Sequence, residues 1–202
     1  MATGAPGDEL RAPDGSRMVL VMTPGASGGR RLEIDWFVPV GSRLVAADHL
    51  HPGGPEVWRV VSGRAGYRLA GEDREADAPY EYTVPAGTSH GHPWNAGATE
   101  LNVRQIIDSP DPLPEVIGGV QAFFETSFAF SQAGDLRPSG DVGGRLQNAL
   151  TIHDLLLGGT YLAGPPRWAQ RMLLGALAVA ARATGKRPYR APEFDPASAG
   201  SG

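Results

Sequence analysis

Between Arg17 and Ile107 the apolar residues fall into eight short β-type runs, each cut off by Gly, Pro or a polar turn: Met18–Met22, Arg31–Val38, Arg43–His51, Val57–Ser62, Gly66–Leu69, Tyr80–Val84, Ser89–Pro93 and Glu100–Ile107. Strands this short and this frequent pack as a sandwich or close as a barrel. The corners are well supplied, since 28 Gly and 18 Pro among 202 residues are about twice ordinary usage. Hydrophobic residues at 41% and charged residues at 20% exclude a wholly disordered chain, a collagen and a long coiled coil.

The texture changes at Asp108. Pro110, Pro112 and Pro114 punctuate a stiff linker, after which the apolar period becomes helical. Glu115–Gln132 carries Val116, Val120, Phe123, Phe124 and Phe128 on one face, and Arg145–Leu157 reads as a second helix. A third opens at Pro165–Pro166 and ends at Gly185, with Trp168, Met172, Leu173, Ala176, Leu177 and Ala180 on a stripe expected to dock against the barrel wall, the alternative being an interfacial membrane or partner-binding helix. The division expected is a flexible arm over 1–16, a barrel over 17–108, a helical extension over 109–185 and a flexible tail over 186–202.

Composition also bounds the partners. The net charge is −4 and no Lys/Arg run makes a phosphate-binding stripe, so no nucleic acid is expected. The first residues lack the basic start and apolar stretch of a signal peptide, and the longest apolar run, Met172 to Ala181, is far short of the about 20 residues a bilayer requires. A cytoplasmic protein with no stable membrane insertion is the expectation. The chain has no cysteine, so a metal would have to sit on His and carboxylate.

Such a set is present: His49-Leu50-His51, then Glu56, and later Pro85-Ala86-Gly87-Thr88-Ser89-His90. Residues two apart on a strand share a face, so His49 and His51 can reach one ion. The Pro52–Pro55 turn can return Glu56 on the next strand, and a corner at Gly87 can bring in His90. Three neutral imidazoles and a carboxylate suit one divalent transition metal, with Fe(II) favoured and Mn(II), Ni(II), Co(II) or Zn(II) also compatible, and leave positions open to substrate.

These residues resemble the two motifs of the cupin superfamily, G-x5-HxH-x3,4-E-x6-G and G-x5-P-x-G-x2-H-x3-N. His49 to Gly63 matches the first after its opening glycine, and Pro85, Gly87 and His90 match the second. Gly41 lies two residues too far before His49, Pro79 stands where the second motif has Gly, and Asn95 follows His90 by one residue more than the motif allows. The resemblance implies a mainly β fold, the double-stranded β-helix or cupin jelly-roll barrel with C-terminal α-helices, and a metal at its centre.

Strand parity extends the site. From Glu56 it turns Trp58 inward and from His90 it suggests Trp94, giving an aromatic wall that favours a carbon-rich substrate, although plain core packing explains either tryptophan equally well. His92 shares the parity of His90 and would serve as a proton shuttle, a rival ligand or a hydrogen-bonded structural imidazole. An inward Tyr67 would donate a proton, and an inward Arg104 would clamp a carboxylate or enolate unless it is an exposed sheet-face cation. His153 reads as a surface or core histidine.

The function expected is a metal-dependent enzyme acting on a small or medium organic molecule with oxygen donors, a dioxygenase or related oxidoreductase in the first instance. Cupins with this ligand set also include cyclases and isomerases, and a non-catalytic small-molecule binding module is the third reading. A homodimer is expected, with strands Met18–Met22 and Arg31–Val38 offering an edge and Trp36–Phe37 an apolar surface.

Overall fold

A computed structural model describes residues 2–44, 47–134 and 142–195. Among the described residues, eleven strands form two antiparallel sheets. They are β1 (Glu9–Arg11), β2 (Arg17–Met22), β3 (Arg31–Val38), β4 (His49–Leu50), β5 (Glu56–Ser62), β6 (Arg64–Leu69), β7 (Glu72–Asp77), β8 (Tyr80–Val84), β9 (His90–Asn95), β10 (Leu101–Asp108) and β11 (Tyr161–Leu162). One sheet runs β1-β2-β3-β10-β5-β8 and the other β11-β4-β9-β6-β7. From β3 to β10 the chain crosses from sheet to sheet, the β6–β7 hairpin counting as one step. That alternation is the winding of a double-stranded β-helix, and the mainly β fold with C-terminal helices is the one the motifs imply.

Inward residues of the two sheets make the core. Leu20, Ile34, Trp36, Trp58, Leu101 and Val103 are almost fully buried, alternating with less buried neighbours such as Asp35, Arg59 and Asn102. α1 (Pro114–Gln132) lays Ile117, Val120, Phe124 and Phe128 onto this core, with Phe124 edge-on to Trp36 at 4.9 Å. α2 (Val142–Thr151) runs into a π-helical turn, Ile152–Leu156, and α3 (Arg167–Ala183) follows β11. A Cβ at Gly119 would overlap the Leu155 carbonyl, so glycine is what lets α1 approach the π turn this closely.

The structure differs from the expectations at four places. Residues expected as a flexible arm are tied down: β1 pairs with β2, Leu10 is fully buried, and the backbone N–H groups of Thr3 and Gly4 each donate to the Glu125 carboxylate at 3.0 Å. Two further donors, Tyr189 Oη at 2.7 Å and Gln121 Nε2 at 2.7 Å, complete that buried carboxylate and anchor the chain after α3 as well. The tail is thus held through Phe194 and a bridge between Glu9 and Asp195, while 196–202 lie outside the described residues.

Second, β7 was not expected, because Glu72–Asp77 has no apolar alternation. It is an exposed edge strand held to β6 by a tight Ala70–Gly71 turn and the pairs Arg68–Asp73 and Arg64–Glu75. Third, the stripe of α3 does not dock on the barrel. α3 packs on α2 through Ala178, Ala181 and Leu150, leaving Trp168, Met172, Leu173 and Val179 outward. The edge expected for dimerisation is also taken: β1 covers β2, β10 covers β3, Trp36 is buried, and Arg17 lies over the Phe37 ring at 4.0 Å. Among the described residues no helix is long and apolar enough to cross a membrane.

Candidate metal centre

Three imidazoles meet where β4 and β9 pair. His49 stands opposite His90 in the β4–β9 register, and His51 follows as β4 ends. One ligand nitrogen from each of His49, His51 and His90 lies within 4.8 Å of the other two. Glu56 begins β5 and turns in beneath them, with Oε2 at 2.8 Å from His90 Nε2 and 3.8 Å from His51 Nε2.

Each ring is oriented by its other nitrogen. Nδ1 of His49 is 3.0 Å from the Ala47 carbonyl, Nδ1 of His90 is 3.1 Å from the Thr88 carbonyl, and Nδ1 of His51 is 3.0 Å from Thr160 Oγ1. A carbonyl only accepts, so the proton of His49 and of His90 sits on Nδ1 and the Nε2 lone pair faces the centre. Nε2 of His51, Nε2 of His90 and Oε2 of Glu56 are buried without hydrogen-bond partners. The 2.8 Å approach of Glu56 to His90 is therefore not a well-aligned hydrogen bond but two donor atoms aimed at one point. Buried polar atoms left unmatched cost about 1–3 kcal/mol each, and a divalent cation satisfies all of them together. The residues fit a metal.

Electrostatics agree with that fit. Burial pushes the imidazolium form of His49 down to about 2, helped by the neighbouring His92, His90 and His51. Burial alone would raise the Glu56 carboxyl, but His90, with His51 and His92, holds it well below the usual carboxylate range. Burial lowers His51 as well, and although burial opposes it the Glu56 carboxylate raises His90 above the ordinary imidazole value, so a metal bound here would displace the proton that Glu56 and His90 share. Glu56 Oε1 accepts a hydrogen bond from Gln105 Nε2.

The centre opens onto a cavity of about 500 Å³. His49, His51, His92 and Gln105 form its barrel side; Phe123, Phe124 and Phe130 of α1, with Ile152 and Leu156 of the π turn, form the opposite side. A second cavity of about 380 Å³ reaches His51 and Glu56 from the Pro52–Pro55 turn. His92 is on the first cavity's wall, its ring 5.1 Å from that of His49 and 5.7 Å from Phe124. Burial lowers it to about 4, so it is a neutral imidazole at pH 7.

None of the other four candidates lines the cavity. Trp58 is fully buried behind His92 at 5.5 Å between ring centres, and Tyr67 stacks on Tyr82 at 4.0 Å in the core. Trp94 points outward because β9 carries one extra residue against β6, where Gly91 pairs with Arg68 but Trp94 with Gly66. Its indole lies over Gly66, where a Cβ would collide with it, and under the Arg43 guanidinium at 4.4 Å. The same bulge accounts for the late Asn95, which is buried and donates to the Val38 and Thr99 carbonyls at 2.8 and 2.7 Å. Arg104 lies on the outer face of β10, bound to Asp35 at 2.6 Å and Glu33 at 3.1 Å, since the alternation that buries Val103 and Gln105 turns it out. Gln105 was legible from that alternation; Thr160 had no sequence signal.

No family model matches the chain, and neither does any curated protein. Solved structures are similar to about half of the chain. A predicted oxalate decarboxylase from Thermotoga maritima is 24% identical, covering 46% of this chain and 81% of that one, with a TM-score of 0.42. An RmlC-like cupin from Shewanella frigidimarina is 16% identical over 56% of this chain and 91% of that one, with a TM-score of 0.41. An uncharacterized protein with a double-stranded β-helix domain from Klebsiella pneumoniae is 20% identical over 55% and 86%, with a TM-score of 0.40. The fold and site define a double-stranded β-helix barrel with a buried histidine group able to hold a metal ion.

Proposed function

We propose that the protein is a metal-dependent enzyme that acts on a small or medium organic molecule through adjacent oxygen donors, as a dioxygenase or related oxidoreductase. The observation that carries the reading is the convergence of His51 Nε2, His90 Nε2 and Glu56 Oε2, all unpartnered, beside a cavity large enough for such a molecule. A divalent metal held by His49, His51, Glu56 and His90 supplies Lewis acidity toward the substrate's oxygens and, as Fe(II), access to dioxygen. The chain's own contribution is positioning. The Ala47 and Thr88 carbonyls and Thr160 fix the three imidazoles, Gln105 fixes Glu56, and the aromatic rings of α1 give the cavity an apolar wall.

His92 favours a second reading within the same site. A buried neutral imidazole on the cavity wall beside the metal ligands is placed to accept a proton from a bound carbon acid, which is the step an isomerase or cyclase needs. Metal analysis of freshly purified protein, with oxygen uptake on catechols, diketones and hydroxylated aromatics, separates the two. Iron with oxygen consumption supports the oxidoreductase; zinc or nickel with turnover but no uptake supports the isomerase or cyclase. Metal without turnover of any member of the panel would overturn both in favour of a binding module.

A further inference from the structure

Resting on that metal reading, we infer the substrate class: an uncharged molecule with an oxygen-bearing head at the metal and an apolar, ring-sized body lying between α1 and the π turn. Among the described residues, no Asp, Glu, Lys or Arg lines the cavity. Its polar side chains are largely spent on the protein itself: Gln170 bonds to Leu162 and to the Pro165 carbonyl, Ser127 to the Phe123 carbonyl, and Thr151 to the Pro188 carbonyl. A phosphate or a second carboxylate in this space would be desolvated with no cation to meet it, a cost of several kcal/mol. Five aromatic or aliphatic side chains, Phe123, Phe124, Phe130, Ile152 and Leu156, offer an apolar body the dispersion and burial it needs. The described lining therefore disfavours a phosphate or carboxylate on the part of the ligand that lies away from the metal.

The test compares two diketones with the same head, 1-phenylbutane-1,3-dione and pentane-2,4-dione, against oxalate and glucose 6-phosphate, by calorimetry on metal-loaded protein. The phenyl compound should bind about tenfold tighter or more than pentane-2,4-dione. Ser127→Leu, which builds into the cavity from a position whose hydroxyl serves only its own helix, should reduce that advantage to about threefold or less while metal content is unchanged. Equal affinities for the two diketones, or tighter binding of either anion, would overturn the class. To keep this apart from the metal reading, the neutral fluorophore N-phenyl-1-naphthylamine is titrated into metal-free protein. Binding lost in Ser127→Leu supports the apolar body even if no metal is ever found, and absence of binding there counts against it.

A separate observation carries a second proposal. Trp168, Met172, Leu173 and Val179 on α3 are between 62% and 69% exposed and share one face with Ala176 and Ala183. Arg167 and Arg171 border that face beside Tyr161, Arg182 is paired with Asp154 at 2.6 Å, and α3 itself carries three Arg and no acid, in a protein whose net charge is −4. Two copies meeting through this face would bring cations together with no acid on the helix to pair them. We propose that it lies on an anionic lipid surface, with the arginine stems reaching up to the headgroups. Co-sedimentation with vesicles containing about one-third phosphatidylserine, lost at high salt, absent with pure phosphatidylcholine and lost in Met172→Glu/Val179→Glu, is the expected result. Failure to bind the anionic vesicles overturns it, and a dimer in sedimentation that the same double substitution dissociates assigns the face to a second copy instead.

Discussion

Gln105 joins Trp36 to Glu56: its Oε1 accepts from Trp36 Nε1 at 3.0 Å, and its Nε2 donates to Glu56 Oε1. Indole nitrogen can only donate, so the amide has one orientation and its NH₂ must face the carboxylate. Glu56 is thereby left with Oε2 alone for a metal. Gln105→Leu keeps the volume but frees the carboxylate to rotate and leaves Oε1 unpaired, so metal affinity should fall about 10- to 100-fold with the fold retained. Competition with a chromophoric chelator measures it; an unchanged affinity would show that Gln105 only packs.

The ligand set makes a graded prediction. His49→Ala or His51→Ala should remove most bound metal after dialysis, because an imidazole is lost from the set and the cavity left behind supplies no replacement. Glu56→Gln keeps shape and a weaker oxygen donor, so metal should persist at reduced occupancy while reactivity changes. Full occupancy by mass spectrometry in the His49→Ala/His51→Ala double variant would sink the assignment.

Thr160 tests whether the helical extension is part of the centre. It lies beyond the barrel, just before β11, yet its hydroxyl holds Nδ1 of His51. Thr160→Val keeps the shape and removes that contact, and metal affinity should drop about tenfold, with Thr160→Ser restoring it. Equal affinities in all three proteins would confine the site to the barrel.

The barrel and the grouping of His49, His51, Glu56 and His90 were legible because both are local properties: a period of two fixes which side chains share a face, and His49, Glu56 and His90 each open a strand while His51 follows the end of β4. Parity failed where the chain broke it. The bulge in β9 turned Trp94 out and displaced Asn95 by one, and nothing in Pro93-Trp94-Asn95 says at which residue the extra unit is absorbed. Arg104 was left open because a cation on a strand has an acidic partner only if the neighbouring strand supplies one, and Asp35 is 69 residues away. The cavity wall was not legible for the same reason: Phe123 was read as part of a packed face, and only the tertiary placement of α1 turns it toward the histidines.

The buried Glu125 carries the last prediction. Its carboxylate gathers Thr3 N–H, Gly4 N–H, Gln121 Nε2 and Tyr189 Oη, so one fully buried side chain of α1 fastens segments that lie 122 and 64 positions away along the chain. Replacing it with Ala takes the shared acceptor from the Thr3 and Gly4 N–H groups, while Gln121 Nε2 keeps the Gly4 carbonyl at 3.0 Å and Tyr189 Oη keeps Thr3 Oγ1 at 2.9 Å, and it opens a cavity, so a loss of about 2–4 kcal/mol is expected. Tyr189→Phe removes a single donor and should cost about 1 kcal/mol. Urea denaturation at 25 °C measures both. Because α1 also supplies Phe123 and Phe124 to the cavity, Glu125→Ala should weaken binding of 1-phenylbutane-1,3-dione while leaving bound metal at the wild-type level under native conditions. Loss of metal and ligand together would mean that the barrel itself depends on this clasp.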